Sequence, residues 1–216
     1  MKVVSFDLDG TIFKKGLDDI FWNRLVPELI ARGKNMSIDD AVAYALKEYD
    51  SIGPNDIRWY IPEYWFDRFG LTHTLLDNLL DTMEEYYTNG IYDDVYLLAD
   101  IKRYRVIITT CNPPAMARRK LSIIIKKTNA SIYRLFSSIS YNTVKNSWFY
   151  SRICRELNVE AENVLHVGDD VIQDLEIPRS IGMQALLMDR ECKRINSSHT
   201  LDHNVICSIR ELMGLI

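Results

Sequence analysis

The segment Val3-Val4-Ser5-Phe6-Asp7-Leu8-Asp9-Gly10-Thr11 begins as a short apolar run and ends abruptly in two carboxylates, a glycine and a threonine. Val3, Val4 and Phe6 have the β-branched and aromatic character of a central strand, and Gly10 supplies the backbone freedom needed where such a strand stops and turns. Asp7 and Asp9 therefore stand at the carboxyl end of a buried strand, where open α/β sheets bind their ligands. Two acids so placed repel each other unless a divalent cation lies between them or one is protonated. Either arrangement suits phosphoryl chemistry.

Outward from this segment, the pattern changes to helix and stays helical for some 80 residues. Leu17, Ile20, Phe21, Leu25, Leu29 and Ile30 recur at helical spacing, with Gly33 as the expected stop. Ser37 and Asp40 read as a capping box opening a second helix through Ala41, Ala45, Leu46 and Tyr49, which ends near Gly53-Pro54. An aromatic segment from Asn55 to Phe69 and a leucine-striped helix from Thr72 to about Tyr87 follow. Large apolar residues at helical spacing imply core packing, and an interface at 59–69 only if that segment proves exposed. No strand signal falls between Thr11 and Tyr104.

Asp93 to Arg103 reads as a helix leading to a second strand, Val106-Ile107-Ile108-Thr109-Thr110, which ends at Cys111-Asn112-Pro113-Pro114. Ala115 to about Lys127 is a basic amphipathic helix whose Arg118, Arg119, Lys120, Lys126 and Lys127 read as a solvated face. Leu135 to Tyr141 reads as a strand, and Lys145 precedes a helix starting near Ser147. Asn163 to Asp174 holds a buried strand, a glycine and an acidic loop, with His166 as a core histidine on the strand. Gln184 to Met188 reads as the final strand, Pro178 should kink or shorten the helix before it, and Val205 to Leu212 reads as a closing helix.

Asp7-x-Asp9-Gly10-Thr11, a hydroxyl residue ending the second strand, a lysine between strand and helix, and Gly168-Asp169-x4-Asp174 occur in order, each after an apolar strand. In this the chain resembles the haloacid dehalogenase superfamily, and specifically its phosphoglycolate phosphatase-like members with a helical type 1 cap. The resemblance implies an α/β fold: a three-layer Rossmann-like parallel sheet core, residues 1–13 and 91–216, with an inserted all-helical cap, residues 14–90. It implies a phosphatase in which Asp7 is the nucleophile and Asp9 the general acid and base. Thr110, Lys145 and the backbone N–H groups of Gly10 and Thr11 would contact the phosphoryl oxygens, with Thr109 competing with Thr110 for the hydroxyl role. Mg²⁺ would be held by Asp7, Asp9 through its carbonyl, and Asp169, while Asp170 and Asp174 orient its waters and Lys145.

The sequence departs from the family pattern at Cys111, where Asn is common, and at Asn146, where Pro usually follows the lysine. An aspartate at position 9 favours phosphate-ester hydrolysis over dehalogenation. A phosphomutase of the same superfamily, and a non-catalytic binding or regulatory module on the same fold, are the alternatives.

The 216 residues, 47% hydrophobic, suffice for one well-buried core with a substantial insertion. A net charge of −4 with scattered Lys and Arg gives no basic field, which excludes nucleic-acid binding by phosphate neutralisation. No apolar run is long enough to span a bilayer. Met1-Lys2 leads straight into the first strand without a signal-like leader, and four cysteines without metal-ligand spacing imply a reduced setting. The expected protein is cytoplasmic, a monomer or homodimer, acting on a small phosphorylated metabolite.

Overall fold

The computed structural model describes residues 2–54, 56–193 and 204–216; the expected start of the aromatic segment at Asn55 and the leader reading at Met1 lie outside the described residues. Six strands form one parallel sheet in the order β3-β2-β1-β4-β5-β6: β1 (Val3–Phe6), β2 (Arg105–Thr110), β3 (Ile132–Ser137), β4 (Val164–Gly168), β5 (Gln184–Met188) and β6 (Val205–Ile206). β1 pairs with β2 on one side and β4 on the other, Phe6 lying opposite both Ile108 and Val167. The chain builds outward from β1 in one direction and then, from β4, in the other, so the switch point falls beside the carboxyl end of β1.

Alternation along β1 sets the layers. Val4 and Phe6 join one apolar cluster with Ile108, Val167, Met116 and Ile124, while Val3 joins a second with Ile107, Phe149, Tyr150 and Ile153. Helices α6 (Pro114–Thr128) and Ile209–Met213 contribute to the first face, and α7 (Ser147–Leu157) to the second. Each fully buried Val or Phe side chain contributes about 1.5–3 kcal/mol by leaving water. With both faces covered, strands such as β2 read as unbroken β-branched runs.

Between β1 and β2 lies a helical insertion: α1 (Leu17–Ile20), a π-helical turn (Phe21–Leu25), α2 (Val26–Lys34), α3 (Ile38–Ile52), a 3₁₀ turn (Ile57–Tyr60), α4 (Pro62–Phe69) and α5 (His73–Gly90). Ser37 Oγ accepts from the Asp40 amide at 3.1 Å and donates to its carboxylate at 2.7 Å, the expected cap of α3. α2 runs past Gly33 and stops at Asn35, whose φ of 52° is left-handed; Asn129 and Asn158 end α6 and α7 in the same way. The aromatic segment is core: Trp65, Phe66 and Phe69 are buried, and Trp65 meets Tyr49 edge to face at 4.7 Å. An exposed interface at 59–69 is thereby set aside.

Two chain crossings connect the insertion to the sheet and run side by side. Lys14 N–H donates to the Gly90 carbonyl at 2.7 Å and Tyr92 N–H to that of Ile12 at 3.0 Å. Asp93–Asp100 is 3₁₀ rather than α. β3 begins at Ile132, pairing with β2 from Val106 across a register shift at Val106/Ile107, and gives way to a 3₁₀ turn at Ser138–Tyr141. Pro178 stands in the first turn of a four-residue helix, α8 (Ile177–Ser180), as a proline should.

β5 is not the last strand, for Val205 and Ile206 add β6 beside Leu187 and Met188 before the closing helix. Cys192 and Cys207 are paired through sulfur with Cα atoms 5.4 Å apart, which corrects the expectation of reduced cysteines throughout. Among the described residues no helix is long and apolar enough to cross a membrane.

Candidate active site

Beyond the carboxyl ends of β1, β2 and β4 lies a cavity of about 210 Å³ lined by Asp7, Asp9, Thr110, Lys145, Asp169, Asp170 and Asp174 from the sheet side, with Tyr60 reaching in from the insertion. A larger groove outside α7, about 730 Å³ and lined by Trp148, Arg155 and Glu160, holds no comparable cluster. Asp7 directly follows β1, and its N–H continues the ladder by donating to the Val167 carbonyl at 2.9 Å. Thr110 ends β2 and Asp169 follows β4.

Two glycines make room for the acids. Gly10 has a φ of +75°, and a Cβ there would stand inside the Asp169 carboxylate; at Gly168 it would stand inside that of Asp174. Carboxylate oxygens of Asp7, Asp169 and Asp174 all lie within 4.8 Å of one another. Such a hard-oxygen set fits Mg²⁺, and Asp169 also meets the exposed Lys15 ammonium at 2.7 Å.

Lys145, buried, reaches Asp7 Oδ1 at 2.5 Å and Asp174 Oδ1 at 2.7 Å. Burial pushes the Asp7 carboxyl up to about 8; Lys145 opposes this, while Asp174 and Asp9 add to it. For Lys145 burial disfavours the charge, but Asp174 and Asp7 outweigh it and hold the ammonium well above the ordinary lysine range. Burial would raise Asp174 too, yet Lys145 and His166 together hold it below the ordinary carboxylate range. The shared cation thus keeps Asp174 ionised and leaves Asp7 the more easily protonated.

Beneath these groups a buried chain links Thr109 Oγ1 to Ser5 Oγ at 2.9 Å, Ser5 to His166 Nδ1 at 2.9 Å, and His166 Nε2 to Asp174 Oδ1 at 2.9 Å. Burial lowers the His166 pKa, so the imidazole is neutral, and its proton sits on Nε2 where the carboxylate can accept it. His166 is a core histidine, as expected, with each ring nitrogen satisfied. Thr109 belongs to this chain and faces away from the cavity that Thr110 lines.

The expectation for the Gly10 and Thr11 amides needs correction. The N–H groups of Gly10 and Thr11 donate to the carbonyls of Phe13 and Leu8, so they close the loop instead of facing a phosphate. Asp170 Oδ1 accepts from the amides of Ile172 and Gln173, capping the turn that begins at Val171. Asp170 lines the cavity, but that oxygen serves the helix. Asn146, at the family's proline position, accepts from Phe149 N–H at 2.9 Å and caps α7.

A second polar cluster surrounds Asp9. Lys120, expected on a solvated face, is wholly buried and meets Asp9 Oδ1 at 2.6 Å, Asn112 Oδ1 at 2.8 Å and Asp18 Oδ2 at 2.9 Å. Asn112 Nδ2 donates to Asp9 Oδ2 at 2.8 Å. Burial raises the Asp9 pKa against the pull of Lys120, and Asp18 raises it further. The helical phase of α6 carried the signal: Lys120 falls on the same stripe as the buried Met116, Ala117, Ile123 and Ile124. Asn112 and Asp18 carried no comparable sign.

The profile of haloacid dehalogenase-like hydrolases matches residues 1–182. GMP/IMP nucleotidase YrfG of Escherichia coli (strain K12) is 31% identical over 68 residues, a match spanning 32% of this chain and only 30% of that protein's length. Among solved structures, a HAD phosphatase from Thermococcus onnurineus aligns over 100% of this chain and 97% of its own, with a TM-score of 0.77 and 22% identity. A 2-haloacid dehalogenase from Pseudomonas syringae pv. Tomato DC3000 aligns over the same shares with a TM-score of 0.61 and 17% identity. At these identities the likeness is one of fold, and the fold hosts more than one reaction. From a profile match over most of its length, the chain belongs to the haloacid dehalogenase-like hydrolase family.

Proposed function

We propose that this hydrolase is a Mg²⁺-dependent phosphatase of a small phosphorylated metabolite, working through an aspartyl-phosphate on Asp7. The observation that carries the proposal is the placement of Asp7 at the switch point, 2.5 Å from the Lys145 ammonium and grouped with Asp169 and Asp174, with a second carboxyl at Asp9 on the same cavity. Asp7, Asp169 and the Asp9 carbonyl would hold the metal, which when bound supplies positive charge beside the carboxylates and the phosphoryl group. Asp174, already engaged by Lys145, His166 and the Asp170 amide, supports that set from behind.

In the first half-reaction an Asp7 oxygen bonds to phosphorus as the bond to the ester oxygen breaks, and the Asp9 carboxyl gives its proton to that departing oxygen. In the second, water attacks the same phosphorus, its proton passes to the Asp9 carboxylate, and the acyl-phosphate bond to Asp7 breaks. Lys145 and the Thr110 hydroxyl hold the phosphoryl oxygens throughout. Gly10 and Thr11 shape the loop that carries Asp9.

We read residues 1–13 and 91–216 as the core and 14–90 as a type 1 cap, which excludes water and selects the substrate. Lys15 and Tyr60 of this range line the cavity, Tyr60 bringing an aromatic ring to its wall. That ring and the likeness to a GMP/IMP nucleotidase favour a nucleoside monophosphate, with phosphoglycolate and sugar phosphates as the other small esters to assay. We place the protein in the cytoplasm, a compartment that would expose the Cys192–Cys207 pair to reduction.

The test is release of inorganic phosphate from para-nitrophenyl phosphate and a panel of these esters, with and without Mg²⁺. Metal-dependent turnover that Asp7→Asn abolishes supports the proposal. Mg²⁺ binding without turnover of any ester contradicts it.

A further inference from the structure

The Lys120 ammonium is completely buried on the apolar stripe of α6, a position where a lysine is tolerated only if every donor is matched. Its three N–H donors face three acceptors: Asp9 Oδ1 at 2.6 Å, Asn112 Oδ1 at 2.8 Å and Asp18 Oδ2 at 2.9 Å. The Tyr87 ring centroid lies 4.7 Å from Nζ, and the Tyr87 hydroxyl donates to Asp18 Oδ1 at 2.7 Å. No donor is left for a substrate, so Lys120 acts on the cavity only through its neighbours.

Seen from Asp9, both carboxyl oxygens are gripped, Oδ1 by Lys120 and Oδ2 by Asn112 Nδ2 at 2.8 Å. An aspartate side chain left to itself samples several rotamers, whereas two donors from a helix and a loop of the sheet domain select one. Each oxygen carries one such bond and retains capacity for another, and Asp9 still lines the cavity. Asp18, from α1 of the insertion, shares the same ammonium and ties the grip to the helices above.

We propose that Lys120 is the positioning residue for Asp9, fixing with Asn112 the orientation in which that carboxyl meets the leaving-group oxygen. The inference rests on the acid and base role proposed for Asp9. Fixing the donor within bonding reach of the ester oxygen matters most when the leaving group is a poor one, since an alkoxide must be protonated as it departs and a nitrophenolate need not be.

The discriminating experiment compares kcat for para-nitrophenyl phosphate with kcat for an alkyl ester, glycerol phosphate or a nucleoside monophosphate, in wild type, Asp9→Asn, Lys120→Met, Lys120→Arg and Asn112→Ala. Asp9→Asn should lose on the order of 10³-fold on the alkyl ester and about 10-fold on the aryl ester. Lys120→Met should follow the same pattern, on the order of 10²-fold against less than about 5-fold, with KM unchanged, and Lys120→Arg should recover most of the alkyl rate. If Lys120→Met does not fold, Asn112→Ala removes the other half of the grip while leaving the Lys120 ammonium paired with Asp9 and Asp18, and it should show the same leaving-group selectivity. Equal losses on both esters, or none, in whichever variant folds overturn the proposal while the phosphatase reading stands. A wild type that turns over neither ester overturns that reading and this inference with it.

Discussion

Lys145 and Asp7, 138 residues apart in sequence, meet at 2.5 Å between Nζ and Oδ1, and both side chains are buried. The same ammonium holds Asp174 at 2.7 Å, so one cation serves two carboxylates. Lys145→Met should therefore cost on the order of 10³-fold in kcat, from the lost stabilisation of charge on the phosphoryl oxygens. It should also cost about 3–5 kcal/mol of stability, because two buried acids lose their partner. Enzyme assays and denaturant titration of the metal-bound protein check the two effects separately.

Thr109 and Thr110 are adjacent in sequence and opposite in consequence. Thr110 lines the cavity, whereas Thr109 starts the buried chain through Ser5 and His166 to Asp174. Thr110→Val should lower kcat on the order of 10²-fold, with any loss of stability confined to the Asn112 N–H bond that Thr110 Oγ1 accepts at 3.0 Å. Thr109→Val should instead destabilise by about 1–3 kcal/mol, since it leaves the Ser5 hydroxyl one partner short. A reversal of these phenotypes would show that the register of β2 is shifted by one residue.

Raising the Asp7 pKa from 3.8 to about 8 makes the folded chain hold a proton there that the unfolded chain releases. Between about pH 4 and about pH 8 the folded state thus binds more protons, and this group's contribution to stability falls as pH rises. With EDTA present, Asp7→Asn should melt higher than wild type at pH 8, on the order of 5 °C, and the gap should close toward pH 4. Calorimetry at several pH values checks this; a gap that widens on acidification would reverse the sign.

Gly168→Ala should behave as a site mutation although it lies on a strand. The added Cβ would occupy the space of the Asp174 carboxylate, displacing the group that holds Lys145, His166 and the Asp170 amide. Loss of activity on the order of 10²-fold, with weaker Mg²⁺ binding by calorimetry, is expected. Wild-type binding and turnover would show that Asp174 can yield without consequence.

Much of this architecture was legible because β-branched runs and helical stripes are local signals. Val3 to Phe6, Val106 to Thr110 and Val164 to Gly168 announced the three central strands, and the carboxylates after the first and third of them announced the cavity. What escaped depends on three-dimensional context. Lys120 looked solvated because its neighbours Arg118 and Arg119 are basic, and only its phase with Met116 and Ile123 betrayed burial. Asn112 and Asp18 became site neighbours through packing between the insertion and α6, which no local pattern encodes. Gly10 and Thr11 have the residue types of a phosphate loop, but their amides are consumed by the turn itself. β6 was missed because two residues are too few to show a period.

The most direct measurement is the mass of the protein after acid quench during turnover of its best ester. Proteolysis should place an added phosphoryl group on the peptide that contains Asp7, labile to hydroxylamine and absent from Asp7→Asn. Turnover with no phosphorylated peptide at any quench time, or with the phosphoryl group on a residue other than Asp7, would contradict the nucleophile assigned here.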